Sequence, residues 1–320
     1  MNRIGILTSG GDSPGMNAAI RAVVRGSVYN KMEVYGIDRG YEGLMAGDIR
    51  ELSVSSVSDI IQRGGTMLRT ARSSHFMEPD GFKRAMDMLE NFEIQGLVVI
   101  GGDGSLNGAL KIGKAGVPVV GLPGTIDNDL AYTDFTIGFD TSVNTVLGAI
   151  GNIRDTSSSH ERSTVIEVMG RNCGDIALYA GLAGGAETVL IPEFEPNINQ
   201  ICRKLIQGKN RGKLHSIIIK AEGVPISSQE LADVITERTG LETKVVVLAY
   251  IQRGGTPTGR DRVLASRMGY RAVELLRDGV GNRAVGIRGA DIFDIDLEEA
   301  LNTARVYDNS INELGEILSI

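Results

Sequence analysis

Hydrophobic residues along the chain fall into short runs separated by segments with helical periodicity. The runs at 97–100 and 117–120 are rich in β-branched residues and too short for helices, as is typical of buried strands. Residues 16–28 instead place Ile20 and Val23 on one stripe, which predicts an amphipathic helix. Because strands that alternate with helices favour βαβ units, we expect an α/β fold with parallel-rich sheets.

Short apolar runs and helical periodicity also predict the elements along the rest of the chain. Further strands are expected at 3–8, 33–37, 164–168, 188–191, 215–221, 245–251 and 284–287. Further helices are expected at 53–63, 80–92, 175–183, 198–209, 229–239, 260–276 and 310–318, with another that ends at Ile153.

Composition narrows the class of protein. A length of 320 residues suits two domains, and a net charge of −7 argues against nucleic-acid binding as the main role. The cysteines, Cys173 and Cys202, lack metal-type spacing, so reduced thiols in a cytoplasmic protein are expected. No apolar run approaches 18 residues and the N-terminus enters a strand directly, so neither a membrane span nor a signal peptide is expected.

Glycines and carboxylates cluster after two of the expected strands. The first run leads into Gly-Gly-Asp-Gly-Ser at 101–105, and the second leads into Pro-Gly-Thr-Ile-Asp-Asn-Asp at 123–129. Ligands of open α/β sheets bind beyond the carboxyl ends of the strands, where backbone N–H groups suit phosphate and carboxylates suit a divalent cation or a proton transfer. Both segments are also good turn formers. Their occurrence at consecutive strand ends favours a phosphoryl-transfer site.

Other candidate anion sites are less specific. The loop 9–15 joins the first strand to a helix N-terminus, which suits either a phosphate or a tight turn. Arg21 and Arg25 repel each other on that helix unless an anion lies between them, although a solvated face explains them equally well. The hexapeptide Ile-Gln-Arg-Gly-Gly-Thr occurs at 61–66 and again at 251–256, which indicates shared turn geometry or a further anion contact.

Together these motifs resemble those of the bacterial ATP-dependent 6-phosphofructokinases. The resemblance covers essentially the whole chain and combines the loop 9–17, both glycine–aspartate segments, Met169-Gly170-Arg171 and the second hexapeptide. It implies two αβα sandwich domains, a larger ATP-binding one at 1–138 plus 252–302 and a smaller fructose 6-phosphate-binding one at 139–251 plus 303–320. It also implies a homotetramer whose active and effector sites are shared between subunits.

The resemblance further implies how the active site is built. ATP would contact Gly11, Tyr41, Arg72, Ser73, Gly102, Asp103, Gly104, Ser105 and Gly108, with Asp103 holding Mg²⁺ directly or through water. Asp127 would be the general base that takes the proton from the 1-hydroxyl of the sugar. Charge on the moving phosphoryl group would be stabilised by Gly11, Arg72, Thr125 and Arg171.

Fructose 6-phosphate would be held by two groups of residues. The sugar would contact Thr125, Ile126, Asp127, Asp129, Met169, Gly170, Arg171 and Glu222. Its 6-phosphate would be clamped by Arg162, Lys244, Tyr250 and Arg253, of which Arg162 and Lys244 reach in from a neighbouring subunit. Lys244 and Tyr250 depart from the arginine and histidine that are usual in the family, so weaker binding of the sugar phosphate is expected.

Two other family features bear on ligand choice. Pyrophosphate-dependent relatives carry an aspartate and a lysine where this chain has Gly104 and Gly124, so ATP is the expected donor. An effector site between subunits, activated by ADP or GDP and inhibited by phosphoenolpyruvate, is matched by Arg21, Arg25, Asp59, Arg154, Gly185, Glu187, Arg211, Lys213 and His215.

Two rival functions stay open at the level of sequence. The chain could be a kinase of the same superfamily that acts on another small substrate, which assays with sugar phosphates and NAD would separate. It could also be a nucleotide sensor that binds ligands without turnover. The intact Asp127 speaks against a sensor, because binding alone needs no general base.

Overall fold

Strands and helices alternate along the computed structural model, which describes residues 1–307 and 309–319. The strands are β1 (Arg3–Thr8), β2 (Glu33–Ile37), β3 (Ile49–Leu52), β4 (Gly96–Gly101), β5 (Val119–Pro123), β6 (Ser163–Val168), β7 (Thr188–Leu190), β8 (Ser216–Ala221), β9 (Thr243–Val247), β10 (Arg283–Arg288) and β11 (Asp291–Asp296). The α-helices are α1 (Met16–Tyr29), α2 (Gly40–Ala46), α3 (Pro79–Asn91), α4 (Asp103–Lys114), α5 (Phe139–His160), α6 (Asp175–Gly184), α7 (Ile198–Asn210), α8 (Ser228–Thr239), α9 (Gly259–Arg277), α10 (Leu297–Asn302) and α11 (Ser310–Leu318).

These elements divide into two units. Unit 1 comprises Met1–Ile126, Leu130–Thr141 and Arg253–Val306, and unit 2 comprises Asp127–Asp129, Ser142–Gln252 and Tyr307–Ile320. The sheet of unit 1 has the strand order β11-β10-β5-β4-β1-β2-β3, in which β3 and β11 are antiparallel to their neighbours. The sheet of unit 2 has the order β7-β8-β6-β9, and its three strand pairs are parallel.

The sheet of unit 1 buries a separate apolar core on each face. Val98 and Ile100 of β4 belong to the core that includes residues of α1 and α9. Leu97 and Val99 of the same strand belong to the opposite core, which includes residues of α3 and α4. Successive side chains of a strand point to opposite faces, so this apolar run fills both cores. The result is an αβα sandwich.

The sequence predicted most of these elements, and the α/β fold with parallel-rich sheets is confirmed. The helix expected at 53–63 was wrong, because only a 3₁₀ turn at Ser55–Val57 forms there. The Ser53 hydroxyl bonds with those of Ser55 and Ser56, and such local bonds compete with a helix. The strand expected at 245–251 ends at Val247. Within the described ranges, no helix is long and apolar enough to span a bilayer.

Candidate active site

Three loops of unit 1 begin side by side at the carboxyl ends of β1, β4 and β5. The Ser9 N–H donates to the Ile100 carbonyl over 3.0 Å, and the Gly124 N–H donates to the Gly101 carbonyl over 3.0 Å. The parallel pairing of β4 with β1 and β5 places these strand ends at one edge of the sheet. The glycine-rich segments therefore meet where α/β proteins bind their ligands.

The space before helix α4 is open. Gly102 is the N-cap of this helix, and the exposed Asp103 is its first residue. A Cβ atom at Gly104 would meet nothing within 4 Å, and one at Gly102 would come no closer than 3.6 Å to Thr125. Ser105 lies buried behind them. The first turn of a helix carries N–H groups without intrahelical partners, so this opening suits phosphate oxygens.

Tyr41 supports α4 from behind. Its hydroxyl donates to the Ser105 carbonyl over 2.6 Å, and its ring stacks on Phe76 with centroids 4.1 Å apart. Burial raises the pKa of the Tyr41 hydroxyl. A Cβ atom at Gly108 would lie 2.7 Å from the Tyr41 ring, so only glycine allows this packing. Contact of Tyr41 and Gly108 with ATP stays a prediction, but both residues shape the helix on which the phosphate opening depends.

The remaining residues predicted to contact ATP lie on two loops of unit 1. Arg72 is exposed, and the Ser73 hydroxyl accepts a hydrogen bond from the Phe76 N–H over 3.3 Å. At Gly11 a Cβ atom would lie 3.2 Å from Nη1 of Arg253. Arg253 was predicted to bind the sugar phosphate, and the structure places its guanidinium beside the first glycine loop.

The surroundings of Asp103 fit a metal ion that arrives with a phosphate ligand. One carboxylate oxygen accepts a hydrogen bond from Nδ2 of Asn107 over 3.2 Å, and the side chain is otherwise exposed. Mg²⁺ is commonly bound by one or two carboxylates together with substrate phosphates. Among the described residues, Asp103 is in no cluster of three metal-type ligands; the cluster of that kind is His75, Glu78 and Asp80, and it lies at the surface with His75 partly buried.

In unit 2, the segment Asp127–Asp129 presents a buried carboxylate to an arginine. Asp127 is 3% exposed, and its Oδ2 lies 3.2 Å from Nε of Arg171, whose side chain is half exposed. Asn128 has φ 53° and donates from Nδ2 to Asp175 over 2.8 Å. The left-handed backbone and this hydrogen bond fix the turn that carries Asp127.

The loop after β6 links Asp127 to Glu222 through Arg171. The Arg171 N–H donates to Oε1 of Glu222 over 2.9 Å, and Glu222 itself follows β8. Gly170 has φ 137°, and a Cβ atom there would lie 2.3 Å from the Cys173 carbonyl oxygen. The structure thus gathers Asp127, Arg171 and Glu222 in unit 2 from distant parts of the sequence.

The predicted phosphate clamp contains an acidic residue that the sequence analysis missed. Glu242 pairs with Lys244 over 2.8 Å and with Arg162 over 2.7 Å. Hydrogen bonds from Lys244 and from Arg162 lower the pKa of the Glu242 carboxyl. Its spacing from Lys244 was the available signal, because Glu242 directly precedes β9 and residues two apart in extended chain share a face. Tyr250 is 76% exposed.

The residues predicted to bind effectors fall in both units. In unit 2, Nη2 of Arg154 donates to the Gly184 carbonyl over 2.5 Å and to the Gly185 carbonyl over 3.2 Å. The buried Glu187 forms an ion pair with Lys213 over 2.6 Å. Arg211 and His215 also belong to unit 2, whereas Arg21, Arg25 and Asp59 belong to unit 1.

Comparison with known proteins gives consistent matches. The family model described as phosphofructokinase matches residues 3–276. An ATP-dependent 6-phosphofructokinase of Alkaliphilus metalliredigens is 60% identical over 320 residues, and one of Clostridium botulinum is 58% identical over 319, each covering 100% of both chains. A phosphofructokinase structure from Saccharomyces cerevisiae has a TM-score of 0.89 at 33% identity. The match covers 100% of this chain and 48% of the yeast chain, so this chain spans about half the yeast length.

The matches confirm the resemblance that the sequence motifs indicated, to bacterial ATP-dependent 6-phosphofructokinases. They also confirm the prediction that the protein is an enzyme of the kinase class. The chain belongs to the phosphofructokinase family.

Proposed function

We propose that the protein transfers the γ-phosphoryl group of ATP to O1 of D-fructose 6-phosphate, giving fructose 1,6-bisphosphate and ADP. Full-length relatives named for this activity, at 60% and 58% identity, support the proposal. The open space at Gly104 supports ATP as the donor, because the triphosphate meets neither a side chain nor a negative charge at this position.

The observation that carries the proposal is the buried Asp127 carboxylate, which pairs with the side chain of Arg171. The backbone N–H of Arg171 in turn donates to Glu222. Asp127 takes the proton from the 1-hydroxyl while O1 forms its bond to the γ-phosphorus and the bond to ADP breaks. Arg171 lies close enough to Asp127 to stabilise negative charge on the moving phosphoryl group. Thr125, Arg72 and the Gly11 N–H are proposed to assist.

Mg²⁺ is the proposed metal, and Asp103 is the residue proposed to hold it. Bound together with ATP, the ion would supply positive charge that offsets the negative charge of the phosphates. Asp103 fits this role as a single exposed carboxylate at the opening before α4.

A coupled turnover assay with fructose 6-phosphate tests the proposed reaction directly. ATP and pyrophosphate are compared as donors, and other sugar phosphates and NAD are compared as acceptors. We expect fructose 1,6-bisphosphate to form with ATP alone among the donors. Absence of this product, or faster turnover with another acceptor, would rule the proposal out.

The altered phosphate clamp gives a prediction about substrate affinity. The double variant Lys244→Arg, Tyr250→His should lower the half-saturation for fructose 6-phosphate by about three- to tenfold, because a guanidinium contacts phosphate through two hydrogen bonds and a histidine can add charge. The half-saturation for ATP should stay unchanged in the same assay. An unchanged value for the sugar would refute this role for the two positions.

We propose that the residues around Arg154 and Glu187 form an effector site for ADP or GDP and for phosphoenolpyruvate. The pairing of Glu187 with Lys213 supports this proposal, since a carboxylate beside cations can exchange partners with a metal-bound nucleotide or a small acid.

Glu187 variants separate regulation from catalysis. Glu187→Ala should blunt activation by ADP but also loosen the fold, because Glu187 accepts a hydrogen bond from the buried Ile217 N–H. The lost acceptor should cost about 1–3 kcal/mol of unfolding free energy. Glu187→Gln keeps an oxygen for Ile217 and should blunt activation with near-normal saturated turnover and stability. An inactive Gln variant would argue against a separate effector site.

A homotetramer in the cytoplasm is the proposed state of the protein. Exposed apolar side chains near edge strand β9 support subunit contacts, with Val247 at 55%, Ile251 at 57% and Tyr250 at 76% exposure. Cys173 and Cys202 are both buried thiols, which suits a reducing compartment.

A further inference from the structure

The glutamine of the repeated hexapeptide makes the same backbone contact in both copies. In the first copy Nε2 of Gln62 donates to the Asp59 carbonyl over 3.0 Å, and in the second Nε2 of Gln252 donates to the Ala249 carbonyl over 3.0 Å. Asp59 and Ala249 are both left-handed, with φ of 52° and 47°. The two copies therefore share this local turn, although only the second forms a 3₁₀ segment, over Ala249–Arg253.

The two glutamines differ in what else they contact. Gln62 is exposed, whereas Gln252 is 0% exposed. Oε1 of Gln252 accepts a hydrogen bond from the Met169 N–H over 3.2 Å. The glutamine of the second copy therefore joins its turn to the loop after β6.

The hydrogen bond from Met169 to Gln252 lies directly beyond the end of strand β6. Strand β6 ends at Val168, whose carbonyl still accepts a hydrogen bond from the Glu222 N–H over 2.8 Å. On its other side, the Leu248 N–H donates to the Glu167 carbonyl over 3.0 Å. The chain beyond Leu248 turns into a 3₁₀ segment, so a side chain of that segment supplies the acceptor for Met169.

Leaving a buried N–H without an acceptor costs folding free energy. The backbone around Met169 has little freedom to bring its N–H to another acceptor. Gly170 and Arg171 have φ of 137° and 52°, and Arg171 is the partner of Asp127. A shift of the Met169 backbone would therefore move the start of the loop that is proposed to hold the sugar.

We propose that Gln252 is a positioning residue for fructose 6-phosphate, which acts by fixing the Met169 N–H and with it the loop Met169-Gly170-Arg171. The inference rests on the proposed function, since it takes that loop as the sugar site. Gln252 itself does not touch the substrate in this role. Loss of Gln252 should therefore weaken binding of the sugar phosphate and leave binding of ATP unchanged, because the proposed ATP contacts come from other loops.

The test compares Gln252→Met with Gln62→Met. Both changes remove the amide that closes the turn, and only the first also removes the acceptor for Met169. We expect Gln252→Met to raise KM for fructose 6-phosphate about tenfold, the effect of leaving one buried N–H unpaired, with KM for ATP unchanged. Gln62→Met should change neither constant. Amide exchange at Met169, measured by mass spectrometry, should be faster in Gln252→Met only.

Several outcomes would overturn the inference. They are an unchanged sugar KM in Gln252→Met, an equal rise for both substrates, or an equal rise in Gln62→Met. If Gln252→Met does not fold, Gln252→Asn keeps a neutral amide that is one methylene shorter and draws the acceptor away from the Met169 N–H, so it should also raise the sugar KM selectively; an unchanged sugar KM would contradict the proposal. A parent protein without turnover of fructose 6-phosphate would instead reject the proposed function.

Discussion

Asp127→Asn should lower kcat by roughly 10³-fold or more while the half-saturation for both substrates stays near that of the parent, because a general base supplies about 10²–10⁴ of the rate. Asparagine has the same shape as aspartate, so the buried site should still fold. Arg171 loses its ion-pair partner but is half exposed, and its charge can turn to water. Steady-state rates with both substrates varied give the two effects separately.

Asp175→Asn is the matched control for the loss of a carboxylate in this region. Asp175 accepts a hydrogen bond from Nδ2 of Asn128, and an asparagine oxygen can accept the same bond. Its kcat should remain close to that of the parent. A similar loss in both variants would mean that the region tolerates no neutral side chain, and an active Asp127→Asn enzyme would place the base elsewhere.

Gly104→Asp should raise KM for ATP by about 100-fold, because a carboxylate within roughly 4–5 Å of a phosphate costs several kcal/mol at an effective dielectric constant of about 20. The fold should be unaffected. A Cβ atom at this position meets nothing within 4 Å, and an acidic residue in the first turn of α4 is compatible with the helix dipole. Thermal unfolding and ATP titration of turnover measure the two quantities.

Gly104→Asn separates charge from bulk. The two side chains have the same shape, so a much smaller rise in KM for the Asn variant would identify repulsion as the cause. Equal effects would instead identify loss of space. Gly104→Asp alone should not gain activity with pyrophosphate, because position 124, the second position that distinguishes the donors, is still glycine. The packing favours glycine there, since a Cβ atom at Gly124 would lie 2.8 Å from Cγ2 of Ile100.

The strands were predictable because their residues obey simple periodicities. The run 97–100 fills both cores of unit 1, as a strand in a parallel sheet should. Helix α2 was missed, since its seven residues include two glycines and begin after the left-handed Arg39. Strand β11 was missed because acidic residues interrupt its apolar positions, and its place at an edge of the sheet tolerates them.

The residue types of the candidate site could be predicted from the sequence, but the contacts between its residues could not. Glycines and aspartates after strands indicated phosphate chemistry, yet no local pattern links Asp127 to Arg171 or Met169 to Gln252. Those contacts depend on the way strands distant in sequence are brought together. Tyr41 illustrates the same limit, because its sequence neighbours gave no sign that Gly108 would leave room for its ring.

Glu242 gives the protein an internal counter-ion at the proposed phosphate clamp. A ligand that binds Arg162 and Lys244 therefore competes with a carboxylate that is already paired with both side chains. A monoanion would exchange one like charge for another with little gain, whereas a phosphate dianion brings twice the charge. Selection for doubly charged ligands would thus be built into the resting protein, by a side chain that the ligand replaces.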